Sequence, residues 1–214
     1  MMNITSNQLL RGCIRSSIAH AIMVNCYPEL SYEQSWDGNN FSAQDGGGRR
    51  GTITFLDDCC VGAIRNEMGK QIMGFDAIDK YMCIFPDVIQ ATAKTEALQY
   101  LLVNHNGAAI PSITSLFWCD DARLYVCQAC ERNFWEDVML FKTCFLPLET
   151  ATKTLADYYN MDNAAYCLFR WLIEQKGDSL SKKIVLSKEH KKMFPGIGMN
   201  DTCVEALSEL NIYI

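Results

Sequence analysis

The sequence is poor in histidine, with only His20, His105 and His190 among 214 residues. A cysteine nucleophile needs an imidazole base within hydrogen-bonding reach, so thiol catalysis narrows to pairs that can be checked singly. Cys13 and His20 share a helix face, but two helical turns hold them about 10 Å apart. His105 falls in a segment that reads as a helix C-cap, and His190 lies among lysines. No uninterrupted apolar run approaches the roughly 20 residues that a bilayer-spanning helix needs, so no membrane role is expected. The opening Met1-Met2-Asn3-Ile4-Thr5-Ser6-Asn7 has no basic region followed by an apolar one, which points away from secretion. Lys and Arg (19) are outnumbered by Asp and Glu (25). The resulting charge of −6 excludes general nucleic-acid binding, which rests on clustered cations against phosphate. No Gly-x-Ser-x-Gly, His-Glu-x-x-His, dinucleotide-binding glycine fingerprint or calcium-loop spacing occurs. There is no repeat with a period of about 20 to 50 residues, and no Pro/Gly/Ser-rich or charged linker.

What is present is apolar material: 49% of the residues are hydrophobic and 11% aromatic, enough for a substantial core. Residues 1–214 are expected to form one α+β domain, with 1–107 and 108–214 as sub-lobes. The eleven cysteines are odd in number and cannot all pair internally. Cys13, Cys26, Cys83, Cys167 and Cys203 sit at apolar-periodic positions where a thiol acts as a small hydrophobe, so a cytoplasmic, reducing setting is expected.

From Ser6, a candidate N-cap, Leu9, Leu10, Cys13, Ile14, Ile18, Ala21 and Ile22 recur at helical spacing up to Pro28. The period then changes. Tyr32 to Trp36, Phe41 to Gln44, Gly51 to Phe55 and Cys60 to Arg65 read as an antiparallel meander, joined by turns at Asp37-Gly38-Asn39-Asn40, Asp45-Gly46-Gly47-Gly48 and Asp57-Asp58. Helical spacing returns over Asp76 to Phe85 and from Pro86 to Leu102, with Asn104 to Gly107 as its C-cap. Ile113 to Trp118 and Arg123 to Cys127 flank Asp120-Asp121 and read as a second hairpin, with a lead into a helix as the alternative for the latter half. The C-terminal half is mainly helical, over Phe134 to Phe141, Leu148 to Tyr159 and Asn163 to Gln175. It closes with a strand at Ile184 to Leu186, a helical turn from Ser187, a Thr202-capped helix and a last strand at Ile212 to Ile214.

Several groupings invite chemistry. Cys127-Gln128-Ala129-Cys130 has the spacing for a shared metal or a redox disulfide, yet no second Cys/His pair accompanies it and no strand-to-helix setting is evident, so two packed thiols are the expectation and no cofactor is assigned. Gly46 to Thr52 resembles a phosphate loop in composition, but a strand follows it, so it reads as a hairpin turn with two exposed arginines, Arg49 and Arg50. Asp57-Asp58 and Asp120-Asp121 read as turn residues that could otherwise meet a divalent cation. Charge is uneven: six lysines fall between Lys176 and Lys192, while Asp120 to Asp162 carries eight acidic residues against four basic ones.

Ser35-Trp36-Asp37-Gly38-Asn39-Asn40-Phe41, Arg50-Gly51-Thr52-Ile53-Thr54-Phe55 and Cys60-Val61-Gly62-Ala63 resemble, over residues 32–65, the N-terminal meander of small bacterial cytosolic proteins of the toxin-immunity type. The resemblance implies no catalytic residue. The leading expectation is a non-enzymatic binding protein whose acidic face, including Asp120 and Asp121, meets a basic protein partner. The alternative is a small-ligand protein or enzyme with an apolar pocket between meander and helices, lined by Trp36, Trp118 and Tyr81 and oriented by Arg49 or Arg65. The sequence sets no oligomeric state.

Overall fold

The apolar repeat that opens the chain forms α1 (Ser6–Met23), in which Leu9, Cys13, Ile14, Ile18, Ala21 and Ile22 are all buried. It is the first helix of a computed structural model that describes residues 4–127, 130–196 and 198–214. The fold is α+β. Two compact units interleave along the chain: one contains the described residues of Met1–Asn7 and Asp37–Lys142, the other those of Gln8–Trp36 and Thr143–Ile214.

The first unit is built on an antiparallel sheet whose strands within that unit run in the order β2–β3–β4–β8–β9. The chain enters this unit at the last residue of β1 (Gln34–Asp37), and the unit's strands are β2 (Asn40–Gln44), β3 (Arg49–Phe55), β4 (Cys60–Asn66), β8 (Ser115–Cys119) and β9 (Leu124–Val126). The expected meander is therefore present, although its first strand begins later, because Pro28–Glu33 winds into a 3-10 turn with Pro28 presetting φ. Side chains alternate across the sheet. Val61, Ala63 and Leu116 join Ile78, Met82, Phe85, Ile89, Leu98 and Leu101 in one apolar cluster. The helices that supply it are α2 (Phe75–Met82) and α3 (Asp87–Thr95), followed by a 3-10 turn at Ala97–Leu101.

On the sheet's other face, Phe41 and Phe117 meet Phe141 and Phe134 at centroid distances of 5.9 and 5.6 Å. These partners come from α4 (Glu131–Asp137) and a 3-10 turn at Val138–Phe141. Gly62 lies opposite Phe117 in the register, and a Cβ there would overlap the phenyl ring. Asp137 is buried on this face, where its carboxylate accepts hydrogen bonds from Asn66 Nδ2 (3.0 Å) and Ser115 Oγ (2.5 Å). The polar groups thus satisfy one another.

Asn104 to Gly107 does not cap a helix. It is the core of a hairpin between β6 (Leu102–His105) and β7 (Ala108–Ile113), which β5 (Ile72–Met73) completes as a three-stranded sheet. Asn106 (φ 52°) and Gly107 (φ 86°) both take the left-handed region, as a two-residue hairpin loop requires, and His105 becomes an exposed strand residue.

The second unit is mainly helical, with α5 (Lys142–Phe145) leading into it, then α6 (Leu148–Tyr158), α7 (Asn163–Lys176), α8 (Lys188–Lys191) and α9 (Asp201–Glu209). A parallel pair, β10 (Ile184–Val185) and β11 (Ile212–Tyr213), completes it. Asp162 caps α7 by accepting from Ala165 N, and Gly177 ends that helix at φ 60°. The cap of α9 is Asn200 rather than Thr202, because Asn200 Oδ1 accepts from Cys203 N while its amide reaches Val24 O and Asn25 O. Arg15 Nη2 donates to Thr143 O and Leu146 O, tying α1 to the carbonyls at the end of α5.

Candidate functional site

The β4–β8 pairing places Cys60 opposite Cys119, so the turn that precedes β4 and the turn that follows β8 emerge side by side. Leu56 N donates to Cys59 O and closes the first turn, with Asp57 and Asp58 exposed. In the second, Asp120 Oδ1 accepts from Ala122 N and Arg123 N at 2.8 Å each, and Oδ2 accepts from Tyr125 OH at 3.2 Å, leaving Asp121 exposed. The charges of all four carboxylates reach Cys59. Burial first, and then the charges of Asp58, Asp120, Asp121 and Asp57, push that thiol up. Burial also acts to raise Asp120, but the Arg123 and Ala122 N–H groups and the Tyr125 hydroxyl outweigh it and hold Asp120 below the usual carboxylate range.

Asp37 lies at the same end of the sheet, since Phe55 N donates to Asn39 O across the adjoining turn. Asp37 Oδ2 accepts from Tyr100 OH at 2.7 Å. Burial, followed by the bond to Asp37 and the charges of Asp37 and Glu96, pushes the Tyr100 hydroxyl up to about 12.

Aromatic and apolar surface adjoins these acids. Trp118 stacks on Tyr125 at 4.1 Å and 2°, and the Arg123 guanidinium carbon lies 4.5 Å above the Tyr125 ring. Phe85 meets Trp118 from the α2–α3 corner at 6.3 Å. Around Phe85 that corner exposes Tyr81 (40%), Ile84 (69%) and Val88 (58%). Leu56, Cys59 and Trp118 all pack on the cluster that contains Phe85.

Of the residues singled out from the sequence, Trp118, Asp120 and Asp121 belong to this rim and Tyr81 to its apolar margin. Arg49, Arg50 and Arg65 lie at the opposite end of the same strands, roughly 20 Å away along β3. There, Arg49 is not a free surface cation: its Nε pairs with Asp45 at 2.8 Å and its Nη1 donates to Glu136 O. Arg65 pairs with Glu67 at 3.5 Å, and the exposed Arg50 stands directly across from Arg65. Trp36, in the second unit, is buried, with its indole N–H on Ser17 Oγ and its backbone N–H on Glu209.

Cys127 and Cys130 do occupy a strand-to-helix junction, between β9 and α4, although Gln128 and Ala129 lie outside the described residues. Both thiols are buried, and their mutual hydrogen bond, then burial, pushes Cys130 far up, the reverse of a reactive thiolate. Among the described residues, no group of three or more His, Cys, Asp or Glu is placed to hold a metal ion. None of their helices is long and apolar enough to cross a membrane. His20, in the second unit, is buried with Nδ1 3.0 Å from Tyr159 OH, so it is not a base for Cys13. In the same unit a cleft of about 620 Å³ beside the α6–α7 connection is lined by Lys153, Asp157, Asn160, Asp162 and Tyr166.

The sequence reading did not single out Asp37, Cys59, Ile84 or Val88 for the site. The one signal for the last two was the helix break at Pro86, which leaves apolar residues on a corner with Asp87 and solvent. The chain matches no family model, no curated protein and no solved structure.

Proposed function

We propose that this chain is a non-enzymatic binding protein that docks a basic protein partner on the acidic rim of its meander. The observation that carries the reading is the Cys60–Cys119 register, which sets the Asp57-Asp58 and Asp120-Asp121 turns side by side, with Trp118 of the same strand meeting Phe85 of the corner that exposes Tyr81, Ile84 and Val88. A rim of carboxylates around an apolar and aromatic centre suits a partner that carries Lys or Arg around an apolar anchor. In its narrower form, implied by the local resemblance, the partner is a toxin that this chain neutralises in the cytoplasm.

Affinity capture with the full chain, alongside the Asp57→Asn/Asp58→Asn/Asp121→Asn variant, tests the proposal. The expected result is a basic protein retained by the wild type, released by salt, and lost with the variant. Asp120 is spared because it organises its turn. Failure to retain any basic protein, or equal retention by the variant, overturns the proposal.

A further inference from the structure

The lysine excess between Lys176 and Lys192 plays no part in the acidic rim, and it surrounds an open strand edge in the second unit. Among the described residues β10 and β11 form a two-stranded sheet, so both are edge strands. Ile184 N donates to Asn211 O at 3.0 Å and Leu186 N to Tyr213 O at 2.8 Å. Successive peptide groups of a strand face opposite edges, so the N–H and C=O of Val185 point away from β11. Among the described residues no hydrogen bond takes either group.

The side chains fit the same picture. Ile184 and Ile212 are buried, whereas the opposed pair Val185 and Tyr213 is 72% and 40% exposed. Lys182, Lys183 and Lys188 flank the strand, all exposed, and none joins an ion pair among the described residues. The entry to β10 is fixed from beneath, because buried Lys176 Nζ donates to Leu180 O (2.9 Å) and Lys182 O (2.5 Å). A fixed edge loses little further freedom when a strand is added.

We propose that the outer edge of β10 accepts an extended, acidic peptide segment of a partner protein as an added strand. Val185 N–H and C=O make the main-chain bonds, Val185 and Tyr213 supply the apolar contact, and Lys182, Lys183 and Lys188 select carboxylates. Lysines on an edge repel basic strands and resist neutral ones, whose docking would desolvate unpaired ammonium groups, while the same charges attract an acidic strand. The occupant is opposite in charge to the rim's, so either proposal can fail without the other.

The test is fluorescence anisotropy of a labelled peptide of alternating Glu and Val against the full chain. Saturable binding is expected with a Kd at or below about 1 mM, weakening with salt. Val185→Pro removes the outward donor and spares the Ile184 and Leu186 bonds, and it weakens binding by about tenfold or more, as does Lys182→Glu/Lys183→Glu. Val185→Thr retains binding and, with circular dichroism, shows that any loss is not unfolding. No saturable binding, full binding by a folded Val185→Pro variant, or displacement of the peptide by oligodeoxythymidine, which would assign the lysines to nucleic acid, overturns the proposal.

Discussion

Two residues make the packing argument measurable. His20 is buried in the second unit, where burial pushes its pKa down to about 4 against a smaller opposing pull from the Ser31 backbone. The folded state therefore holds neutral imidazole, while the unfolded chain titrates near its ordinary value of about 6.5. Above that value neither state takes the proton. As pH falls from about 6.5 to 4 only the unfolded chain does, so stability declines by up to about 1.4 kcal/mol per pH unit, about 3 kcal/mol in all. Denaturant unfolding across this range should show a stability advantage of wild type over His20→Asn that shrinks with acidification; a constant difference would contradict the assignment. In the first unit, Gly62→Ala places a methyl into the Phe117 ring. The expected cost is about 1–3 kcal/mol by chemical unfolding, from overpacking.

At the scale of elements, the β8–β9 hairpin depends on Asp120, whose carboxylate takes two backbone N–H groups and a hydroxyl. Asp120→Ala should lower unfolding free energy by about 1–2 kcal/mol, while the equally acidic but exposed Asp121→Ala should change it by less than about 0.5 kcal/mol. Unfolding midpoints of the two variants check this. Most elements were legible as local pattern: the α1 stripe, the four meander strands with their Asp/Gly turns, and α7 from Asn163 to its Gly177 terminator. The β6–β7 hairpin was not, although Asn106-Gly107 is a strong hairpin signal. The apolar run ahead of it continues the α3 spacing without a break, and Asn-Gly also ends helices, so one dipeptide served two readings. For α9, Thr202 and Asn200 are both good caps, and only the reach of Asn200 to Val24 and Asn25, distant in sequence, decides between them.

For the whole molecule, the decisive information is long-range. The sequence shows Asp57-Asp58 and Asp120-Asp121 as two ordinary turn pairs more than sixty residues apart. It is the Cys60–Cys119 register that makes them one surface, and the same topology sends Arg49, Arg50 and Arg65 to the far end of the strands. The meander is thus polarised by charge along its strands, a feature that net charge conceals. The association rate of the captured basic partner, followed against ionic strength, tests the acidic-rim reading most directly. It predicts a rate that falls steeply with added salt, and a low-salt rate about tenfold or more slower for the Asp57→Asn/Asp58→Asn/Asp121→Asn variant, with dissociation changed much less. Equal association rates and equal salt dependence for the two proteins would contradict it.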